Sequence, residues 1–261
     1  MSHRTIVAGP DGPIDVHVYG EGSTVALIAS LGRGADDFLD LAARLAAAGF
    51  RAIALEPRGV GESSSRLKGA TMADLAEDVI AVIQALADGP ATVVGHAFGN
   101  RVARMVATIR PDVVESVVLL ACGGLVPPAP AVAAALVSVF DASVEPAAHL
   151  DVVARAFFAP GNDPSAWEGG WHAPTALAQG AATENTPVEE WWMAGQADVL
   201  VIQPAQDVVA VPQNATKLVG MLGERATMVT IPNAGHALLP EQPVLVATEI
   251  LTWLNRRRVA I

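Results

Sequence analysis

Short runs of β-branched and aliphatic residues recur along the chain, separated by stretches whose apolar positions fall three and four apart. The runs are RTIV, IDVHVY, TVALIAS, RAIALE, ATVVG, SVVLLA, DVLVIQ and ATMVTI. Several are continuously apolar rather than alternating, as strands covered on both faces are. Helical patterns lie between them. In TMADLAEDVIAVIQAL, Leu75, Val79, Ile83 and Leu86 form one stripe, and Thr71 with Asp74 three residues on offers an N-terminal cap. This alternation predicts an α/β fold: an eight-stranded, mostly parallel sheet with helices on both faces. The turn-rich AGPDGP between the first two runs predicts an antiparallel hairpin at one edge.

The alternation stops between Gly123 and Ala197. That segment reads as several helices without strands: PPAPAVAAALVSVF, AAHLDVVARAFF, SAWEGGWHAPTALAQGAA and TPVEEWWMAG. The prediction is a core made of residues 1–123 and 196–261, with a helical lid at 124–195 inserted after the sixth strand. An insertion at a strand's carboxyl end lies where open α/β sheets bind ligands. Four of the five tryptophans fall in it: Trp167, Trp171, Trp191 and Trp192. They either line a pocket or glue the lid to the core.

VVGHAFGNRVARMVATIRP combines a strand, a sharp turn and a helix with Val102, Met105, Val106 and Ile109 at helical spacing. Gly95 and Gly99 stand two residues either side of Ala97. This turn resembles the nucleophile elbow of the α/β-hydrolase superfamily, whose central residue is normally Ser and sometimes Asp or Cys. The resemblance extends over nearly the whole chain. ALEPRGVGESS matches the segment after the fourth strand at Arg58, Gly59, Gly61 and Ser63. VLVIQPAQDVVAVPQNA resembles the seventh strand and the acid loop, which implies Asp207 as the triad acid. TIPNAGHALLPEQPVLVATEILTWL resembles the histidine loop, which implies His236. In that family Asp207 would accept the imidazole Nδ1–H and leave Nε2 as a base. The oxyanion hole would combine the N–H of Phe98 with that of Gly32, Leu31 being the alternative, since Ser30-Leu31 stands where the family has His-Gly. Ser30, Leu31, Arg33, Trp167, Trp171, His172 and Trp192 are the candidate substrate contacts. His96 is expected to pack beside its strand.

Composition narrows the rest. The 261 residues suit one large domain, and 52% hydrophobic content supports a sizeable core. A net charge of -11 excludes nucleic acid as the expected partner, and Arg256, Arg257 and Arg258 read as charges complementing the end of the last helix. No apolar run reaches the roughly 18 residues a membrane span needs. The amino-terminal residues lack a signal peptide's pattern, and a single cysteine, Cys122, excludes an internal disulfide. A cytoplasmic protein, with a small hydrophobic substrate and a homodimer possible, is the expectation. No metal, nucleotide or flavin is implied.

Three readings of Ala97 stay open. A deliberate Ser-to-Ala change would leave a disarmed serine hydrolase of esters, lactones, amides or C–C bonds. A natural alanine would leave base catalysis by His236 and Asp207: direct hydrolysis, elimination or cofactor-free oxygenation. Binding without turnover is the third. Retention of both Asp207 and His236 favours an enzyme.

Overall fold

The computed structural model describes residues 2–258. Its eight-stranded sheet runs β1-β2-β4-β3-β5-β6-β7-β8. The strands are β1 (Ser2–Ala8), β2 (Pro13–Tyr19), β3 (Thr24–Ile28), β4 (Arg51–Leu55), β5 (Ala91–His96), β6 (Val114–Leu120), β7 (Val199–Pro204) and β8 (Ala226–Ile231). The β1–β2 hairpin and the β2–β4 pair are antiparallel; the remaining pairs are parallel. The central strands β3, β5 and β7 are buried at every position, which explains their unbroken apolar runs. The edge strands β1 and β8 keep exposed positions.

Period-two alternation divides the central side chains between two cores. Val93, Val117, Leu119, Val199 and Val201 face one layer of helices, α2 (Met72–Leu86), α3 (Phe98–Ile109) and α7 (Gln213–Leu222). Val94, Val118, Leu120, Leu200 and Ile202 face the other, formed by α1 (Leu39–Ala47) and α9 (Pro243–Arg258). Thr71 and Asp74 close a capping box on α2. The buried face of α2 is broader than one stripe: Met72, Ala76, Ile80 and Val82 join Val79 and Ile83, while Leu75 and Leu86 are half-buried. At the far end of α9, Arg257 pairs with Asp198 and Arg258 lies over the Phe50 ring.

Between β6 and β7 the chain holds α4 (Pro130–Ser138), α5 (Pro146–Phe157), α6 (Ala173–Glu184) and short 3-10 turns, with no strand. The stretch SAWEGGWHAPTALAQGAA divides, because Gly170 has φ +80° and α6 begins after His172. TPVEEWWMAG forms a single 3-10 turn at Val188–Glu190 rather than a longer helix. Trp191 and Trp192 beyond it are drawn into the α3 side of the core, so packing overrides local helix preference there. Val139, Val153, Ala156, Phe157, Phe158 and Trp167 form a smaller core of the insertion, joined by Ala237. Ala237 directly precedes the last short helix, α8 (Leu238–Glu241). No helix among the described residues is long and apolar enough to cross a membrane.

Candidate active site

The turn from β5 into α3 is set by close backbone approach. Ala97 has φ +50° and ψ -104°, a conformation L residues rarely adopt. A Cβ on Gly95 would collide with the Gly99 carbonyl and the Asn100 amide. A Cβ on Gly99 would collide with the Ile28 carbonyl oxygen and stand 2.6 Å from that of Ala29. Glycine is therefore required on both sides, and the Ala97 methyl is delivered to a cavity wall at the α3 N-terminus. The Ala97 N–H donates to Leu120 O (2.9 Å), and Asn100 Nδ2 donates to Ala121 O (2.9 Å), locking the turn to the end of β6.

Loops after β7 and β8 meet this turn. The His236 Nδ1 lies 3.1 and 3.0 Å from the two Asp207 carboxylate oxygens, and both side chains are buried. Asp207 Oδ1 also accepts from the N–H groups of Val209 (2.9 Å) and Ala210 (2.8 Å), so the same carboxylate folds its own turn and holds the ring. The ring's Nε2 has no hydrogen-bond partner among the described residues, and His236 and Ala97 line one cavity.

His96, one residue before the elbow centre, donates from Nε2 to the His236 carbonyl at 2.8 Å. Burial, reinforced by the nearby His236, pushes its pKa down to about 3, so it stays neutral. It supports the histidine loop from beneath. Glu241 supports it from the side, accepting from Gly235 N–H (2.7 Å) and from Ala159 N–H and Asn162 Nδ2 in the insertion (both 2.6 Å). The Ala237 N–H donates to Phe157 O (2.8 Å). Neither Glu241 nor its partners carry a motif that sequence reading could use.

The cavity holds about 460 Å³ and is lined by both core and insertion. Ser30, Leu31, Arg33, Phe98, Trp167 and Trp171 line it together with Phe140 and Phe157. Two expected contacts fall elsewhere. Trp192 is not among the lining residues; it packs in the core with its indole N–H toward Met221 Sδ (3.4 Å). His172, also absent from the lining, directly precedes α6, and its backbone N–H donates to Gly32 O (2.9 Å). Gly32 itself is fully engaged: its N–H donates to Gln179 Oε1 at 2.8 Å, and an added Cβ would strike Phe140 and Ala176. It is a seam between core and insertion, not a free donor, which corrects the expectation for that position. The Phe98 and Leu31 N–H groups have no acceptor among the described residues, and both residues line the cavity. Arg33 is neither solvated nor free. It forks onto Asp37 (2.9 and 2.5 Å), donates to Gly169 O (2.6 Å) and lies 4.6 Å from the centroids of both Trp167 and Trp171.

The profile of the α/β-hydrolase family matches residues 25–249, from β3 into α9. The chain belongs to the α/β-hydrolase family. One member, BpoC of Mycobacterium tuberculosis, named as a candidate non-heme bromoperoxidase, is 28% identical over 221 residues, 79% of this chain and 84% of that protein. Its crystal structure superimposes with a TM-score of 0.78 at 26% identity, covering 93% of this chain and 96% of that one. RutD of Variovorax paradoxus, named as a candidate carbamate hydrolase, is 36% identical over 107 residues, spanning 41% of this chain and less than half of RutD, 40%. An esterase from Exiguobacterium antarcticum shares the fold, with a TM-score of 0.82 over 97% of this chain and all of that one (100%), at 18% identity.

Gly99→Ala is expected to abolish recovery of folded protein or cost more than about 3 kcal/mol in denaturant unfolding, because backbone on both sides must move. Acidification tests His96. Its folded pKa lies below the unfolded value near 6.5, so stability present above pH 6.5 is lost as pH falls toward about 3. The loss is on the order of 4 kcal/mol. His96→Asn should flatten that part of the pH–stability curve measured by urea unfolding.

Proposed function

We propose that the chain is a hydrolase of apolar carbonyl compounds, with His236 as general base, and that with Ala97 it works without an acyl-enzyme. The reading is carried by His236: its Nδ1 is fixed by Asp207, and its Nε2 is unbonded at the wall of the cavity that holds the elbow. Water placed between Nε2 and the substrate carbonyl loses its proton to the imidazole as its oxygen attacks the carbonyl carbon. The Phe98 N–H, at the positive end of α3, and the Leu31 N–H stabilise the oxyanion. Collapse of the tetrahedral species expels the leaving group, which takes the proton back from the imidazolium. Asp207 stabilises that imidazolium without accepting its proton. The insertion acts as a cap that excludes bulk water.

With serine at the tip the same frame would run acyl transfer. Family members of hydrolase name support the reaction class, and the aromatic lining supports a medium-sized hydrophobic substrate. Loss of a triad nucleophile typically lowers turnover by about 10⁶, leaving roughly 10³ to 10⁴ over water. Ester hydrolysis by the chain as it stands is therefore slow.

Ala97→Ser should react covalently with a fluorophosphonate, read by mass spectrometry, while the parent chain does not. Folded serine variant without adduct would refute the elbow geometry. Residual ester hydrolysis by the parent should fall at least about tenfold in His236→Ala; turnover surviving that change refutes the general base.

A further inference from the structure

Two arginines of α3 lack a carboxylate partner. Arg104 is completely buried: its Nε and one NH2 group serve Asn100 and the Gly123 carbonyl, and its guanidinium carbon lies 4.6 and 4.7 Å from the Trp191 and Trp192 ring centroids. Its remaining nitrogen, NH1, is buried without a partner. Arg101, one turn earlier, lines the candidate cavity. It makes no ion pair or side-chain hydrogen bond among the described residues; its guanidinium carbon sits 5.8 Å from the Trp191 centroid, a contact that leaves the N–H edges free. Burial lowers its pKa; the Cys122 thiol opposes that shift, and no carboxylate does.

The other charges on the wall do not neutralise it. Arg33 is spent on Asp37 and Gly169. Glu184, the one carboxylate among the lining residues, is exposed and forms no salt bridge with Arg101. An apolar cavity thus contains one guanidinium with open donors, backed by a second, unneutralised arginine. A half-buried cation without a counter-ion is costly unless an anion joins it.

We propose that Arg101 forms a carboxylate subsite, so that the preferred substrate is an amphiphile: a hydrophobic carbonyl compound carrying one carboxylate a few bonds beyond the reacting carbonyl. The inference rests on the reading of this cavity as the substrate site. Arg101 lies four residues along α3 from Ala97, a rise of about 6 Å. Arg101 and Ala97 line the same cavity, so one molecule bound there reaches both. A carboxylate accepting two N–H bonds from Arg101 would fix which end of the molecule meets His236. This narrows the expectation of a merely hydrophobic ligand.

The test is calorimetric titration of the unaltered chain with phenylbutyrate and with its neutral isostere phenylbutyramide, at low ionic strength. The acid should bind at least about tenfold tighter than the amide. Arg101→Gln should erase that preference, and Arg101→Lys should retain part of it. Equal binding of acid and amide by the unaltered chain, which needs no variant to fold, overturns the carboxylate subsite while leaving the cavity as a ligand site. Preference persisting in Arg101→Gln also overturns it. Binding of neither ligand overturns this inference together with the reading of the cavity.

Discussion

Helix α3 begins so close to the ends of β3 and β5 that neither Gly95 nor Gly99 has room for a Cβ, and everything at the site depends on this approach. It holds Ala97 at positive φ and sets the first residue of the helix, Phe98, on the cavity wall. A backbone hydrogen bond from the Ala97 amide to β6 then ties the position of the turn to the rest of the sheet. His96 uses the same rigidity from the opposite side, carrying the carbonyl of His236 on its ring. The histidine loop is therefore tied to the elbow through a buried imidazole as well as through the sheet. This framework is complete with alanine at the tip.

Much of the architecture was legible because its causes are periodic or local. Unbroken apolar runs marked strands covered on both faces, and Thr71 with Asp74 marked the start of α2. The order of Ala97, Asp207 and His236, each in a recognisable loop, anticipated that three distant segments share a region, and the Asp207–His236 contact shows two of them meeting. What escaped sequence reading was tertiary. Gly32 looked like a backbone donor because of where it follows β3. Its amide is instead captured by Gln179, 147 positions later, and nothing in LAQGAA announces that. Trp192 was a candidate for either the pocket or the seam with the core, because it lies in an insertion at a strand's carboxyl end. Its side chain faces α3.

Charge was the hardest quantity to read. Arg33 suggested a ligand contact, and its fork onto Asp37 between two indoles makes it a rivet between core and insertion. Arg101 drew no notice because a basic residue in an amphipathic helix is ordinarily a solvated one. Its significance comes from what surrounds it: an apolar wall, Trp191, and a buried arginine one turn on. Net composition, acidic by eleven charges, points the other way. Local desolvation, not total charge, decides what such a cavity can accept.

The stitching of residues 157–159 to the histidine loop, through the Phe157 carbonyl and through Glu241, gives the insertion a second character. It is part of the mounting that holds the loop carrying the imidazole. Exchanging this segment for that of another family member would remove the Phe157 carbonyl that holds the Ala237 amide, and two partners of Glu241, along with the old walls. A chimera would need to carry its own residues 235–241 with the transplanted helices, because in this chain the insertion and the histidine loop form one structural unit.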